Sequence, residues 1–471
     1  MARNETAQTQ EYFERRSLKK GAAGWPLLMG LGVAYVISGD FSGWNYGIAY
    51  GGWLGLAIAF VLMGCMYVCT VLGEAEMSSA LPTAGAGFAF SRCAMGRFGG
   101  FLTGMAITVE YVCAPAAIST FIANYFLQLG IIPEDFPFLL LVGIIFIVFI
   151  GIHVFGVGEA LKLMLVITVV GAIALAAFAF GAAPHFDAAA LFDIAPDEGA
   201  TTALPFGVSG LLAALPFGIW FFLGVEGVAL AAEEAKDPRR DIPKAIIGSM
   251  AVLIGTGLIV LVLAAGVTGS EFMGTSSAPL VDALNIANLP GLALFVNVAG
   301  LFGLVASFFS LIYAGSREIF ALSRAGYLPT FLSLTGSRKT PWVALLVQGV
   351  IGFALVVVMQ DGDVLLNMAV LGACLSYVLM NLSHVILRLR QPNMKRGWKT
   401  PGGALTTGVG LVLSAIAVVS TFFVDAIAST GIVCVLATGC VYFFVYARKR
   451  LISNAPEEEL YKLEGAGQEL R

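Results

Sequence analysis

Polar residues in this chain fall in short clusters, and between them run apolar stretches of about 20 residues or more, the length of a membrane-crossing helix. Taking each run as one helix predicts twelve segments, at 22–49, 52–80, 99–129, 137–155, 158–181, 205–231, 243–268, 290–323, 341–360, 362–388, 403–424 and 427–447. The ends, 1–21 and 448–471, read as polar tails. Two segments break their own pattern. The first carries "YVISGDFSGW" at 35–44, with a small residue and a carboxylate about halfway along. The sixth carries "LPFGIWFFLGVEGVALAAEE" at 215–234, where Gly224 precedes Glu226 and Gly227 amid apolar residues.

Composition fixes the class. Hydrophobic residues make up 58% and charged residues 12%, against roughly 25% charged in a soluble domain. The expectation is an all-α polytopic membrane protein, the lipid bilayer being its first partner. The 56 glycines suit close helix packing. A net charge of −4 gives no reason to expect nucleic acid. Placing the N-terminus inside sends all 26 Lys and Arg to inner loops, tails and inner helix ends. Acids such as Asp135, Asp187, Asp193, Glu271, Asp361 and Asp363 mark the outer loops. This charge asymmetry predicts an inner (plasma) membrane protein with both termini cytoplasmic. The N-terminus shows no cleavable signal.

Six cysteines lie in apolar runs, and Cys93 is expected in the loop between segments 2 and 3. They form no disulfide framework and no metal-ligand pattern. No nucleophile–base set and no phosphate loop stands in the right context, so neither an enzyme nor a cofactor or metal is expected. The three histidines, His153, His185 and His384, lie at inner helix ends or in a loop and carry no motif.

The two breaks lie five segments apart. Five is odd, so the second unit enters the membrane from the opposite side. The chain then divides into a tail at 1–21, a five-helix repeat at 22–181, an inverted five-helix repeat at 205–388, two extra helices at 403–447 and a tail at 448–471. Paired interrupted helices are the mark of a secondary transporter. Unwinding frees carbonyls that attract cations and N–H groups that attract anions. The plainer reading of any one of these glycines is close packing. Asp40 and Glu110 are acids at membrane depth and should face the bundle interior, paired or bound to substrate. Glu110 sits beside Tyr111 and before Pro115. Asp40 as a simple helix N-cap is the alternative. Trp220, Phe221 and Phe222 offer aromatic faces to a cation, or serve only as core.

Three stretches resemble the amino acid–polyamine–organocation (APC) transporter family. They are "WFFLGVEGVALAAEEAKDPRRDIPKAI" at 220–246, "GSREIFALSRAGYLP" at 315–329 and "AEMSSALPTAGAGFAF" at 75–90. Within that family, "SGDFSGW" with "VEYVCAPAAI" at 109–118 and "RGWKTPGG" at 396–403 is most similar to the ethanolamine permease branch. The resemblance implies a LeuT-type fold of two inverted repeats plus two helices, with alternating access around a midplane site. It places Ile37, Ser38, Gly39 and Asp40 at the first break, where relatives usually read G-S-G followed by an apolar residue. It makes Trp220 a substrate cover and gate, Gly224 the unwound point and Glu226 a gating or proton-coupling acid. Glu74 and Glu76 lie in the inner half of the second segment, and Glu76 matches a common family acid with a structural role. Read from its place near the inner half of the eighth segment, Arg317 is expected in a cytoplasmic network. Gly171 stands where some proton-coupled relatives carry lysine, and Lys162 lies nearer the inner end. The expected substrate-binding set is Ile37, Ser38, Gly39, Asp40, Glu110, Tyr111, Trp220, Phe221 and Gly224. The expected function is import of ethanolamine or a similar small cationic amine, with Asp40 and Glu110 balancing its charge and protons as candidate co-substrate. An amino-acid transporter, as proton symporter or exchanger, is the alternative.

Overall fold

The computed structural model describes residues 21, 23–83, 85–130, 132–133, 135–155, 160–337 and 339–452. Among them, ten helices are long and apolar enough to cross a membrane. Two shorter apolar helices, Trp25–Phe41 and Phe138–Val154, occupy the first and fourth predicted segments. The chain is an all-helical, multi-pass membrane protein. Its surface and interior follow the bilayer as solvent. Phe180 and Ile427 are 83% and 88% exposed, where lipid would cover them. Asp40, Glu74, Glu110 and Glu226 are at most 5% exposed.

The first segment is built from α1 (Trp25–Val36), α2 (Ser38–Phe41), a turn at 42–45 and the first turn of α3 (Tyr46–Ala80). A kink at Gly52, φ 70° and ψ 172°, separates that turn from the second segment. Next come α4 (Ala86–Gln128), α5 (Phe138–Phe155) and α6 (Ala160–Ala182). The sixth segment is α7 (Gly207–Trp220) followed by a 3-10 helix, Val225–Glu234. Then follow α8 (Pro238–Thr268), α9 (Ser270–Met273), α10 (Pro279–Ile286) and α11 (Pro290–Arg324). The last four are α12 (Trp342–Met359), α13 (Gly362–Arg390), α14 (Ala404–Val424) and α15 (Ala426–Val445).

Two expected loops are helical. The stretch before the third segment belongs to α4, which bends at Gly96, φ 79°, instead of starting after it. Cys93, expected in a loop, is therefore on a helix and buried. Polar Ser91 and Arg92 mimic a loop in the sequence, yet both are buried too. The connection before α11, expected as an outer loop, likewise folds into α9 and α10, each too short to leave a periodic signal. Residues 1–20 and 453–471, most of the two expected tails, lie outside the described residues, as does the Lys162 side chain.

One face gathers the start of α1, the end of the 3-10 helix and the last described residues. Ala23 N–H donates to the Glu234 carbonyl at 3.1 Å, and Lys236 N–H donates to the Ala23 carbonyl at 2.8 Å. Ile452 N–H donates to the Ala325 carbonyl. On this basic face Glu76 is an ionic hub. Its carboxylate meets Arg388 at 2.6 Å, Arg396 at 2.8 Å and His384 at 3.3 Å, and accepts from Thr400 N–H at 2.7 Å.

Candidate functional site

The first break is made by a residue on another helix. An unbroken helix would pass the Ser38 N–H to the carbonyl of Ala34. Here the Ser307 hydroxyl of α11 stands between them. It accepts from Ser38 N–H at 3.0 Å and donates to the Ala34 carbonyl at 2.7 Å. A side chain inserted in the ladder is a recognised cause of a helix break. The second break is at Gly224, φ 101°, a left-handed conformation that disfavours any side chain. Beyond it the backbone tightens to the 3-10 form.

The two breaks cross. A Cβ on Gly39 would lie 2.6 Å from the Trp220 carbonyl oxygen, so only glycine permits this approach. The Trp220 indole donates to the Ser42 carbonyl at 2.9 Å and stands edge-on to Phe121. The freed Phe41 carbonyl accepts from the Tyr125 hydroxyl at 2.8 Å. Gly171 abuts Ile37 and Phe41, so the position expected to match a lysine faces this break.

Below the crossing, toward the basic face, lies a set of acids and phenols. Glu110 of α4 and Glu226 of the 3-10 helix bring their carboxyl groups close together, with no hydrogen bond between them. Two ionised carboxylates repel at close range, whereas a proton or a cation between them removes the repulsion. Tyr377 of α13 donates to Glu226 Oε1 at 2.9 Å, and Tyr111 donates to the same atom at 3.4 Å. Tyr67 of α3 is hydrogen-bonded to Tyr377. Tyr35 of α1 donates to the Gly227 carbonyl at 3.4 Å. Glu74 of α3 is within electrostatic reach of both acids. Among the described residues, neither oxygen of Glu110 nor Glu226 Oε2 has a hydrogen-bond partner. No ion pair reaches Glu74, Glu110 or Glu226 among the described residues.

The scaffold explains why Tyr111 is held there. Pro115 has no N–H, which orphans the Tyr111 carbonyl one turn back. Gln348 of α12 fills that vacancy, donating at 2.6 Å to Tyr111 and at 3.3 Å to the Leu311 carbonyl. A Cβ on Gly315 would clash with the Gln348 amide, so glycine leaves its room.

Contacts tie the segments together on both sides of the crossing. On the basic face Arg317 pairs with Glu234, which also accepts from Tyr313. Arg324 pairs with Glu233 at 2.6 Å. On the opposite side the Asn45 amide donates to the carbonyls of Met273 and Ser276, both at 2.8 Å.

Of the expected residues, the structure unites Glu110, Tyr111 and Glu226 in the acid set. It places Ser38, Gly39, Trp220 and Gly224 at the crossing. Ile37 packs toward α6 and α11, beside Gly171 and Gly303. Phe221 turns from the acids into Trp44 and Phe60, with centroids 5.6 and 5.0 Å away. Asp40 takes no part in the acid set's hydrogen bonds among the described residues. It lies beyond the break from Tyr35 and faces Thr256 of α8. Both its oxygens lack a hydrogen-bond partner among the described residues. The sequence reading missed Ser307, Tyr67, Tyr377 and Gln348, polar residues inside apolar runs that no motif singles out; it noted Glu74 as an acid in the inner half of the second segment without placing it at the site.

Comparison with known proteins agrees with this architecture. The amino acid permease family profile matches residues 27–446. An uncharacterized transporter of Rhizobium meliloti (strain 1021) is 28% identical, over 88% of this chain and 89% of its own. The branched-chain amino acid permease of Bacillus subtilis (strain 168) is 26% identical, over 92% and 94%. The methylthioribose transporter of the same organism is 25% identical, over 91% and 92%. None of these names carries the ethanolamine branch that the motifs resemble. With a profile covering nearly the whole chain, and broken helices that cross around buried acids, this chain belongs to the amino acid permease family and is a transporter, not an enzyme.

Proposed function

We propose that this chain is a proton-coupled permease of the cell membrane that imports a small amino acid by alternating access, with Glu110 and Glu226 as the coupling pair. The carrying observation is the acid set itself. Carboxyl groups face each other at membrane depth, ringed by phenols and without an ion-pair partner among the described residues. Such a pair is costly when ionised and gains from a proton or a substrate ammonium. The amino-acid class follows the relative named as a branched-chain amino acid permease. The units 22–181 and 205–388 act as the two inverted repeats, each opening with a broken helix. Gly39 and Gly224 frame the substrate, and Trp220 gates it. The basic face is the cytoplasmic one by its Lys and Arg.

A second reading keeps ethanolamine or a similar amino alcohol as substrate. Asp40 favours it. Its buried, unpartnered carboxylate lies at the start of the second half-helix, where it would stand in for the carboxylate that such a substrate lacks.

Uptake into proteoliposomes decides between them. Leucine, alanine, ethanolamine, choline, putrescine and arginine are offered with and without an inward proton gradient. Saturable amino-acid uptake that the gradient drives, and that ethanolamine does not inhibit, is expected. Ethanolamine uptake insensitive to amino acids, and lost in Asp40→Asn, would establish the second reading. Uptake indifferent to the gradient would remove the coupling role.

A further inference from the structure

We propose that a recess on the basic face, between α1, the start of α8 and the α13–α14 connection, holds the phosphate-bearing headgroup of an anionic phospholipid. The recess has a volume of about 790 Å³ and is lined by Trp25, Arg239, Arg240, Lys244 and Trp398 above Pro243 and Ile247. Arg239, Arg240 and Lys244 are exposed and take part in no ion pair among the described residues.

The cations sit where the fold makes them repel. Arg239 and Arg240 occupy the first turn of α8, the positive end of a helix dipole, which favours an anion instead. Asp237 and Asp241 offset part of that charge. Asp241 Oδ2 is engaged, accepting from Asp237 N–H at 3.2 Å. Lys236 adds a further charge just before the helix. A phosphate seated among the three side chains relieves this crowding with charge-assisted bonds.

The surroundings select a lipid over a soluble phosphate. Trp25 is 42% exposed at the start of α1, and Trp398 faces it across the recess. Indoles belong at headgroup depth. Pro243 and Ile247 continue the wall along α8 in the direction an acyl chain would run. The Ser249 hydroxyl next to this wall donates to the Met29 carbonyl of α1 at 2.9 Å. A bound headgroup would therefore brace α1 against α8 beside the basic-face ion pairs. This inference stands on charge and shape and does not depend on the transported substrate.

The test uses the full chain in nanodiscs of phosphatidylcholine with a minor share of phosphatidylglycerol. Native mass spectrometry counts retained phosphatidylglycerol. Each basic residue near an anionic surface is worth about fivefold in affinity. R239Q/R240Q/K244Q should thus weaken retention roughly a hundredfold. The charge-conserving R239K/R240K/K244R should retain the lipid, as should the control K395Q/K399Q. Millimolar glycerol phosphate should not displace it. Equal retention by the triple Gln variant would overturn the site. Displacement by glycerol phosphate would overturn the lipid as its occupant.

Discussion

Ser307→Ala tests the claim that a distant hydroxyl keeps the first helix broken. The substitution deletes two hydrogen bonds, to Ser38 N–H at 3.0 Å and to the Ala34 carbonyl at 2.7 Å. Interhelical bonds in membranes average about 0.6 kcal/mol and reach about 1.7 kcal/mol, so the pair is worth roughly 1–3 kcal/mol. Local opening at Ser38 should become easier by about 5–150-fold, at 1.4 kcal/mol per tenfold. Hydrogen exchange at the Ser38 amide reads this directly, alongside initial rates of uptake. There is one competing outcome: with the hydroxyl gone, Ser38 N–H can bond the Ala34 carbonyl itself. The ladder then closes, the amide stays protected and uptake falls because α1 no longer breaks. Ser307→Thr keeps an oxygen in place and should restore both readouts. Wild-type exchange at Ser38 together with wild-type uptake in Ser307→Ala would refute the reasoning.

Further outcomes follow from neighbouring contacts. Glu226→Gln and Glu110→Gln should each flatten the dependence of uptake on external pH while the chain still inserts, and an unchanged pH profile in both would count against the coupling pair. Gly39→Ala drives a methyl into the Trp220 carbonyl at 2.6 Å. An overpacked contact of this kind costs about 1–3 kcal/mol, so uptake should collapse, and a fully active variant would show that the helices do not cross this closely. Gln348→Ala orphans the Tyr111 carbonyl and should lower thermal stability by about 1–3 kcal/mol. Adding Pro115→Ala, which returns an N–H to that carbonyl, should recover part of the loss. Glu76→Gln removes the shared partner of Arg388 and Arg396 and should cost about 3 kcal/mol, read as a lower melting temperature.

Much of the fold was legible because lipid imposes a simple rule on sequence. Apolar runs located the spans, and Gly224 with Glu226 located the second break. What the runs cannot encode is direction around a helix. Glu74 and Glu76 are two residues apart, hence about 200° apart around α3. One faces the acid set and the other the hub on the basic face, and the pattern on an apolar helix does not say which. Glu110 and Glu226 are far apart in the chain and meet only through packing of α4 against the 3-10 helix. Ser307 was invisible for a related reason: the break it makes is not in its own helix. Asp40 is buried, as an acid inside an apolar run should be, but its neighbour on α8, Thr256, has no signal in that run. The loops at Cys93 and before α11 misled because polarity was read as irregular backbone.

The pairing of Ala23 with Glu234 and Lys236 uses main-chain atoms alone. Its strength is therefore indifferent to which side chains stand at those positions. A conventional alanine scan would pass over this latch and report a tolerant region, although the latch ties the first and sixth segments together on the basic face. Only proline at 23 or 236, by deleting the N–H itself, would expose it. Mutational tolerance and mechanical importance thus part company at this point of the chain.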